Sequence, residues 1–324
     1  MSLSPGINVF IGENGTGKTH ILKVLYAAAG SHVLMDFPIG LANVIGVGFV
    51  SYDRLRSIER PETECTVGVT VRGRLIEFNL TDGSGGADSI PYIHNISQEN
   101  YPINLPSTYI PPKEVLENAP GFRSLYNLRH ISFGRVYAEI LDKAFLPSLR
   151  KLDGVRQALV DGLEPAIGGK VVIVDELFFI ETAHGRIPFG MVAEGIRKIA
   201  LLSVLICNGC LEPGSVLFWD EPDANLNPKL LNLVVKTLLT LQRSGVQIFL
   251  ATHNYFVLKE LDLQRKKQDR IAFYSLYRDE KTNAIAVAKS RDFLGITHDA
   301  ISDAFDDIYD RDIEKALGEP PVDD

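Results

Sequence analysis

The sequence predicts an α/β fold whose parallel strands are doubly wound with helices and bind a ligand at their carboxyl ends. Three short apolar runs, at residues 7–11, 216–219 and 248–251, have the length and composition of buried parallel strands. Each run ends in a polar loop, and a helical segment follows the first two. Strand, loop and helix in this order form the repeating unit of a doubly wound sheet.

Two predicted helices have clear ends. Residues 18–29 carry apolar side chains at helical spacing and stop at Gly30, while residues 228–244 begin with Pro228 and stop at Gly245. Proline in the first turn and glycine just after the last turn are preferred ends of a helix. These two segments are therefore the expected partners of the buried strands.

A long insertion separates the first strand from the second. Its first part, about residues 43–110, alternates apolar and polar residues and predicts antiparallel strands, whereas residues 114–164 predict helices. Residues 170–182 predict a further strand or hairpin. After the third core strand, residues 271–276 and 284–288 predict a terminal hairpin.

Composition favours one large cytoplasmic domain. The chain has 324 residues, of which 45% are hydrophobic, and this is enough to bury a sizeable core. The sequence contains no apolar run near the roughly 18 residues of a membrane span, and its first residues lack the features of a secretory signal. Three cysteines in a chain of this length favour a reducing compartment. We therefore expect a cytoplasmic protein without a membrane partner.

The formal net charge of −8 is concentrated in the last residues of the sequence. Residues 299–324 contain ten acidic residues against Arg311 and Lys315, so this segment carries −8 and residues 1–298 are balanced. A balanced body lacks the electrostatic footprint of a general DNA-binding protein, although a local basic stripe is compatible with nucleic-acid contact. The acidic segment predicts a solvated helix and tail, with docking of a partner as the alternative.

The loop after the first strand matches the full phosphate-binding motif GxxxxGK[ST]. Its sequence is Gly12-Glu13-Asn14-Gly15-Thr16-Gly17-Lys18-Thr19. It lies between a strand and a helix, which is the context that this motif requires. The glycines let backbone N–H groups point inward at phosphates, and the helix N-terminus adds its positive end. We expect Lys18 to bridge the β- and γ-phosphates of ATP and the Thr19 hydroxyl to bind Mg²⁺.

The second buried strand ends in two adjacent carboxylates, Asp220 and Glu221. Neighbouring residues of a strand point to opposite sides, so the two carboxylates can have different roles. We expect Asp220 to bind in the Mg²⁺ shell and Glu221 to act as the base that polarises the attacking water. Acids at a strand end are common, and this interpretation depends on their pairing with the phosphate-binding loop.

The residues after these carboxylates resemble the motifs of ABC-type ATPases. Asp220-Glu221-Pro222 is followed by Ala224-Asn225-Leu226-Asn227-Pro228, and the third strand leads into Thr252-His253. The arrangement is most similar to the soluble branch related to the SMC, RecF and OLD proteins, which includes stand-alone AAA-family ATPases of bacterial phage defence. The resemblance covers nearly the whole chain. It implies that residues 224–227, including Asn225, form the D-loop and that His253 is the switch histidine contacting the γ-phosphate.

The same resemblance implies one ABC-type ATPase domain, with a P-loop NTPase core, an antiparallel β subdomain and an inserted helical lobe. Residues 1–112 would contain the phosphate-binding loop and the antiparallel part. Residues 113–190 would form the helical lobe and hairpin. Residues 191–324 would contain the signature, the second-strand acids, the D-loop, the switch histidine, the terminal hairpin and the acidic helix and tail.

Two elements of the family are matched in part. Ala193-Glu194-Gly195, which lies where related proteins carry Ser-x-Gly, is the candidate signature that reaches the ATP of a second subunit. Alanine in place of serine removes a hydroxyl and leaves backbone N–H groups and the helix dipole, while an ordinary helix cap is the alternative. The Q-loop glutamine is absent from residues 108–114, where Lys113 or Glu114 could substitute or the segment could be a plain proline turn.

Two further patterns have simpler interpretations. Cys207 and Cys210 have the spacing of a zinc or redox pair, but the sequence contains no second pair, and packing at the end of an apolar helix is preferred. The basic cluster at residues 265–270 fits a solvated loop, with nucleic-acid contact as the alternative.

Together, these motifs predict an ATPase that binds ATP and Mg²⁺. By the resemblance, two or more copies would enclose ATP between them and act with a separate effector chain in a DNA-related or anti-phage defence complex. The alternative is the ATP-binding subunit of a membrane transporter, against which the missing Leu-Ser-Gly-Gly-Gln signature and Q-loop glutamine count. A P-loop kinase or GTPase is disfavoured because the sequence contains no Asn-Lys-x-Asp guanine motif.

Overall fold

The computed structural model describes residues 1–30, 65–80, 105–129 and 134–318 of the chain. Its strands are β1 (Ile7–Gly12), β2 (Cys65–Val71), β3 (Arg74–Leu80), β4 (Ser107–Ile110), β5 (Lys170–Val174), β6 (Leu177–Thr182), β7 (Gly185–Pro188), β8 (Val216–Asp220), β9 (Gln247–Ala251), β10 (Ile271–Arg278) and β11 (Ile285–Ser290). Its helices are α1 (Lys18–Ala29), α2 (Phe122–Arg129), α3 (Arg135–Ala144), α4 (Gly154–Ile167), α5 (Glu194–Cys207), α6 (Pro228–Arg243), α7 (Tyr255–Gln264) and α8 (Ala300–Leu317).

The central sheet has the strand order β11-β10-β1-β9-β8-β4. Strands β10, β1, β9, β8 and β4 run parallel, and β11 runs antiparallel to β10. This arrangement confirms the predicted α/β class and the three predicted core strands. Because the five parallel strands share one direction, the loops that follow β1, β4, β8 and β9 open at the same edge of the sheet.

The structure shows two further parallel core strands, β4 and β10, that the sequence analysis predicts as antiparallel. Strand β4, which lies in the part predicted to be antiparallel, pairs in parallel with β8. Strand β10 forms the predicted hairpin with β11, but it also pairs in parallel with β1, from Ile7 opposite Ile271 to Gly12 opposite Leu276. Pairing between segments so far apart in sequence leaves no local pattern that would reveal it.

Successive side chains of each strand point to opposite faces of the sheet, and both faces are packed against helices. In β1, Ile7, Val9 and Ile11 belong to the larger core cluster, together with residues of α5 and α6. Phe10 belongs to a second cluster with residues of α1, where it stacks on Tyr274 with ring centroids 5.2 Å apart. Both faces are buried, which explains why the core strands are mostly apolar instead of alternating between apolar and polar residues.

Two smaller antiparallel sheets accompany the central sheet among the described residues, and Phe178 and Ile180 of one of them belong to the larger core cluster. Strands β2 and β3 form the predicted antiparallel hairpin around Arg72 and Gly73, both of which have positive φ angles. The remainder of the predicted antiparallel part, residues 43–64 and 81–104, lies outside the described residues. The predicted hairpin at 170–182 forms as β5 and β6, and β7 adds a third strand that the sequence did not indicate.

The predicted helical lobe contains α2, α3 and α4, and the predicted acidic helix is α8. Within the described ranges, α8 contains no buried residue, while residues 319–324 of the predicted tail lie outside those ranges. None of the helices in the part of the chain that the structure describes is both long enough and apolar enough to cross a membrane.

Candidate active site

The loop after β1 wraps around the Lys18 side chain. Gly12, Gly15 and Gly17 have φ angles of 139°, 82° and 93°, a region that only glycine adopts readily. Gly12 also lies very close to β10, because a Cβ atom there would be 2.2 Å from the Leu276 carbonyl oxygen. The Lys18 ammonium group donates to the Gly12 carbonyl oxygen at 2.7 Å. The loop therefore holds a cation at the position expected for phosphate binding.

Helix α1 begins directly after this loop. Gly17 precedes it in the left-handed conformation, and no side chain among the described residues caps its first turn. The backbone N–H groups of that turn are therefore open to an anion. Glu13 and Asn14 are exposed at the tip of the loop, and the buried Thr16 donates its hydroxyl to the Glu13 carbonyl oxygen at 2.8 Å.

Asp220, at the end of β8, accepts hydrogen bonds from two neighbouring elements. The Thr19 hydroxyl donates to its Oδ1 at 3.2 Å, and the Tyr109 hydroxyl, from β4, donates to its Oδ2 at 3.1 Å. Burial raises the pKa of Asp220, and these two hydrogen bonds oppose the rise. Burial lowers the pKa of Lys18, and the charge of Asp220 is the largest influence against that change. Tyr109 is a member of the site that the sequence did not reveal.

Glu221 has an unusual backbone conformation for a residue other than glycine. Its φ angle is 50°, in the left-handed region, and its N–H group donates to the Ala251 carbonyl oxygen at 2.9 Å. Its Oε1 lies 3.9 Å from Nδ1 of His253, and the two side chains are 39% and 49% exposed. Strained residues of this kind cluster at functional sites. The structure therefore brings the candidate base and the candidate switch histidine together where water can reach both.

Asp223 connects the D-loop to the end of β9. Its buried carboxylate accepts from the Thr252 hydroxyl at 2.6 Å, and the Thr252 hydroxyl oxygen accepts from the Asn254 N–H at 3.0 Å. Thr252 and Asn254 flank His253 in the chain. These contacts favour a positioning role for Asp223, and they connect the candidate D-loop, which follows Asp223, to the candidate switch histidine.

The candidate signature packs against the D-loop of the same chain. Ala193 is exposed just before α5, Glu194 is half-buried and Gly195 is buried. A Cβ atom at position 195 would lie 2.4 Å from the Asn225 carbonyl oxygen. Gly195 is therefore needed here for close packing within the chain, and Ala193 is the more accessible member of the motif.

A buried lysine adds a second link between these two segments. Lys198, one turn further along α5 and 1% exposed, donates to the Ala224 carbonyl oxygen at 2.9 Å. Burial lowers its pKa, and the carboxylates of Glu194 and Asp223 oppose the change. Asn225 itself is exposed and has a φ angle of 63°. The candidate signature and the candidate D-loop therefore form one unit that exposes Ala193 and Asn225.

The segment after β4 is also attached to α5. Arg197 donates to Glu114 at 2.7 Å, and their side chains are 11% and 1% exposed. The other oxygen of Glu114 accepts from the Leu116 N–H. Burial raises the pKa of Glu114, and its bonds to Leu116 and Arg197 oppose the rise. Of the two Q-loop candidates, Glu114 is therefore engaged with the signature helix, whereas Lys113 is exposed.

The sequence contains a signal for these contacts. Arg197 and Lys198 are adjacent charged residues within an otherwise apolar helix, and both are buried. Charged side chains are almost never buried without partners, so such a pair predicts specific acceptors nearby. The acceptors, however, could not be named from the sequence.

The cysteines and the basic cluster have local partners. Cys207 and Cys210 pack against the core, and burial raises the pKa of both thiols. Arg265 pairs with Asp292. In the described ranges, there is no group of three or more His, Cys, Asp or Glu side chains that could hold a metal ion.

The residues at this edge of the sheet fit Mg²⁺ with ATP. Mg²⁺ in nucleotide sites usually takes one or two protein carboxylates and completes its shell with waters and phosphate oxygens. Asp220 and Thr19 offer one carboxylate oxygen and one hydroxyl oxygen that lie 3.2 Å apart. The glycine-rich loop and Lys18 offer the donors that phosphates need. A dedicated cluster of protein ligands is therefore not required.

Comparison with known families gives one match. Residues 72–259 match the family described as "AAA domain, putative AbiEii toxin, Type IV TA system". The matched range is more than half of the chain, and it contains Asp220, Glu221 and His253 but not the phosphate-binding loop at 12–19. The match and the loop motif are thus separate observations. No curated protein matches the sequence.

Solved structures similar to this chain include SMC heads and ABC cassettes. The SmcHead bound to the C-winged helix domain of ScpA has a TM-score of 0.51 at 12% identity, covering 90% of this chain and 92% of that chain. The SMC head domain from Thermotoga maritima has a TM-score of 0.48 at 12% identity, with coverages of 90% and 92%. The ADP conformation of MJ1267, an ATP-binding cassette of an ABC transporter, has a TM-score of 0.36 at 15% identity, covering 98% of this chain and 89% of that chain. The SmcHead comparison shows the fold.

Proposed function

We propose that this chain, which belongs to the AbiEii-type AAA domain family and has the fold of ABC-type ATPases of the SMC-like branch, uses ATP hydrolysis to switch between separated and paired copies of itself. The observation that carries the proposal is the meeting of five groups at one edge of the sheet. These groups are Lys18, Thr19, Asp220, Glu221 and His253.

Each group has a role that its position supports. The loop N–H groups and Lys18 would bind the phosphates, and Thr19 and Asp220 would hold the metal, with Tyr109 fixing the orientation of the carboxylate. When bound, Mg²⁺ neutralises charge on the phosphate oxygens. Glu221 accepts a proton from the attacking water, and His253 lies beside it, where the γ-phosphate is expected.

The signature and D-loop support the participation of a second copy. They form one unit, and the residues that this unit exposes, Ala193 and Asn225, are those that the resemblance assigns to the facing ATP. A two-fold contact would use the same patch on both copies. Since Ala193 has no hydroxyl, the N–H groups at the start of α5 and the helix dipole would contact the facing γ-phosphate. We therefore expect slow basal turnover.

The biological output in this proposal belongs to a separate effector chain in a DNA-related or anti-phage defence complex. Two observations support this. The matched family is described by a toxin and a type IV toxin–antitoxin system. In addition, the motifs at 220–228 and 252–253 resemble those of stand-alone ATPases in phage defence.

The Glu221→Gln variant tests the proposal. The amide keeps the shape of the side chain but cannot accept a proton, so ATP binding should persist while turnover falls at least about 100-fold. Light scattering should then show a dimer with Mg²⁺ and ATP and a monomer without them.

The matched control is Glu176→Gln. Glu176 is also an exposed glutamate with a positive φ angle, 62°, but it lies in the turn between β5 and β6. This control should hydrolyse ATP like the wild type. Fast turnover by Glu221→Gln would assign the base elsewhere, and a variant that stays monomeric with ATP would remove the paired state from the proposal.

A further inference from the structure

Helix α8 exposes a row of large apolar side chains to solvent. Phe305, Ile308, Tyr309 and Ile313, which we call the apolar stripe, are 37%, 57%, 61% and 40% exposed. Their spacing of three and four residues places them along one side of the helix. Leu317, at the end of the same helix, is 75% exposed. Contiguous apolar surface of this kind marks sites of protein interaction.

A second stripe on α8 is acidic. It consists of Asp303, Asp306, Asp307, Asp310 and Glu314, again at helical spacing. Asp306 and Asp310 lie next to the Ile313 edge of the apolar stripe, because they are separated from Ile313 by seven and three positions. With Asp312, and with Arg311 and Lys315 as the basic residues, α8 has six acids against two bases, a formal charge of −4.

The beginning of α8 is firmly attached to the core. The buried Asp299 caps the helix by accepting from the N–H groups of Ile301 and Ser302 at 3.3 and 3.4 Å. The Phe305 ring stacks on Tyr255, with centroids 4.2 Å apart and planes within 6°. The first turns of the helix are therefore held against the domain, and its later turns extend beyond these contacts.

This anchor also connects α8 to the candidate active site. Tyr255 is the first residue of α7, and Asn254, which caps α7, follows His253 directly. The contact of Phe305 with Tyr255 therefore lies two residues from the candidate switch histidine. A partner bound to α8 would therefore bind a helix that packs directly on the segment containing His253.

The charge of α8 determines which occupant fits it. A second copy of this helix would bring −4 against −4, and nucleic acid or an anionic lipid surface would also be repelled. The geometry points to α8 as the docking surface for a different protein, one with an apolar groove bordered on one side by Lys and Arg side chains. This identifies how the effector of the proposed function is held, and it rests on that proposal.

The first experiment locates the occupant by photo-crosslinking. The probe is p-benzoyl-phenylalanine in place of Tyr309 in the full chain, produced in its own host cells. The same probe in place of Leu128, which is 77% exposed on α2, is the control. We expect position 309 to crosslink to one different protein that position 128 does not capture.

The second experiment measures binding of that protein, once purified, to variants of the full chain. Ile308→Ser combined with Ile313→Ser should weaken binding at least tenfold, because two apolar anchors are lost. Asp306→Asn combined with Asp310→Asn should also weaken binding, and raising salt to about 0.5 M should weaken the wild type but affect this variant less. Leu128→Ser should bind like the wild type.

Several outcomes would overturn the inference. They are crosslinks from position 309 only to a second copy, to nucleic acid or to lipid, the absence of any crosslink, and unchanged binding by the stripe variants. The ATP-driven pairing of Glu221→Gln is measured without the partner, and adding Ile308→Ser with Ile313→Ser should leave it intact. Failure of docking is thus distinguishable from failure of the proposed ATPase cycle.

Discussion

Replacing Gly195 with alanine adds one methyl group where helix α5, which begins at the candidate signature, meets the candidate D-loop. The new Cβ would lie 2.4 Å from the Asn225 carbonyl oxygen and 3.1 Å from Cδ2 of Leu226. Cβ contacts below 3.0 Å essentially do not occur, so the two segments must separate by at least 0.6 Å at this point. Because the nearest atom belongs to the backbone, a change of rotamer cannot relieve the clash.

Two opposing effects set the magnitude. Forcing an extra carbon into a packed site costs about 1–3 kcal/mol, whereas alanine is favoured over glycine in a helix by roughly 0.5–1 kcal/mol. The difference is a net loss of about 0–2.5 kcal/mol in the free energy of unfolding, or up to several degrees in Tm. Turnover should fall by about tenfold or more, because the N–H of Ala224 in the D-loop donates to the Glu221 carbonyl oxygen at 3.2 Å and a shift there moves the base.

The assay compares Gly195→Ala with Gly190→Ala. A Cβ atom at position 190 would meet nothing nearer than Glu117 Oε1 at 3.9 Å, so this control adds the same methyl group without a clash. ATP turnover at saturation and thermal unfolding are measured for both. If Gly195→Ala melts and hydrolyses ATP like Gly190→Ala, the close contact between signature and D-loop does not constrain the site, and our reasoning is wrong.

Three further predictions concern single groups of the site. Lys18→Ala removes the cation held inside the loop and should weaken binding of a fluorescent ATP analogue with Mg²⁺ by at least about tenfold; wild-type affinity would contradict the phosphate-loop assignment. Tyr109→Phe removes one of the two hydroxyl donors to Asp220, and a hydrogen bond to a charged group is worth about 1.5–3 kcal/mol. This variant should need a higher Mg²⁺ concentration for half-maximal turnover. An unchanged Mg²⁺ titration would show that Tyr109 does not position the carboxylate. Ala193→Ser introduces a hydroxyl at the start of α5 and should tighten the ATP-bound dimer or raise turnover; no change in light scattering or rate would place the signature elsewhere.

The parts of the site that could be predicted from sequence are those encoded by contiguous residues. The phosphate-binding loop at 12–19, the acids at 220–221 and the histidine at 253 each follow a buried apolar run. A run of this length predicts a core strand, and parallel strands bring their carboxyl ends to one edge. Their proximity therefore followed from the fold class alone.

The parts that could not be predicted depend on contacts between distant segments. Tyr109 and Asp220 contact each other although they are 111 residues apart in the sequence, and Arg197 and Glu114 do so although they are 83 residues apart. Neither pair has a fixed spacing, so no motif contains them. Strand β4 contains Ser107 and Thr108 among its four residues, so it lacks the continuous apolar run that indicates a buried parallel strand.

The position of β1 has a consequence for the synthesis of the chain. This strand lies between β9 and β10, and Gly12 sits against Leu276, which emerges from the ribosome more than 260 residues later. Contacts between segments so far apart in sequence carry a loop-closure entropy cost and form slowly. A nascent chain that does not yet include β10 contains every motif of the candidate site but lacks the strand against which Gly12 of the phosphate-binding loop packs. Competence to bind nucleotide is thus expected only after β10 has been synthesised.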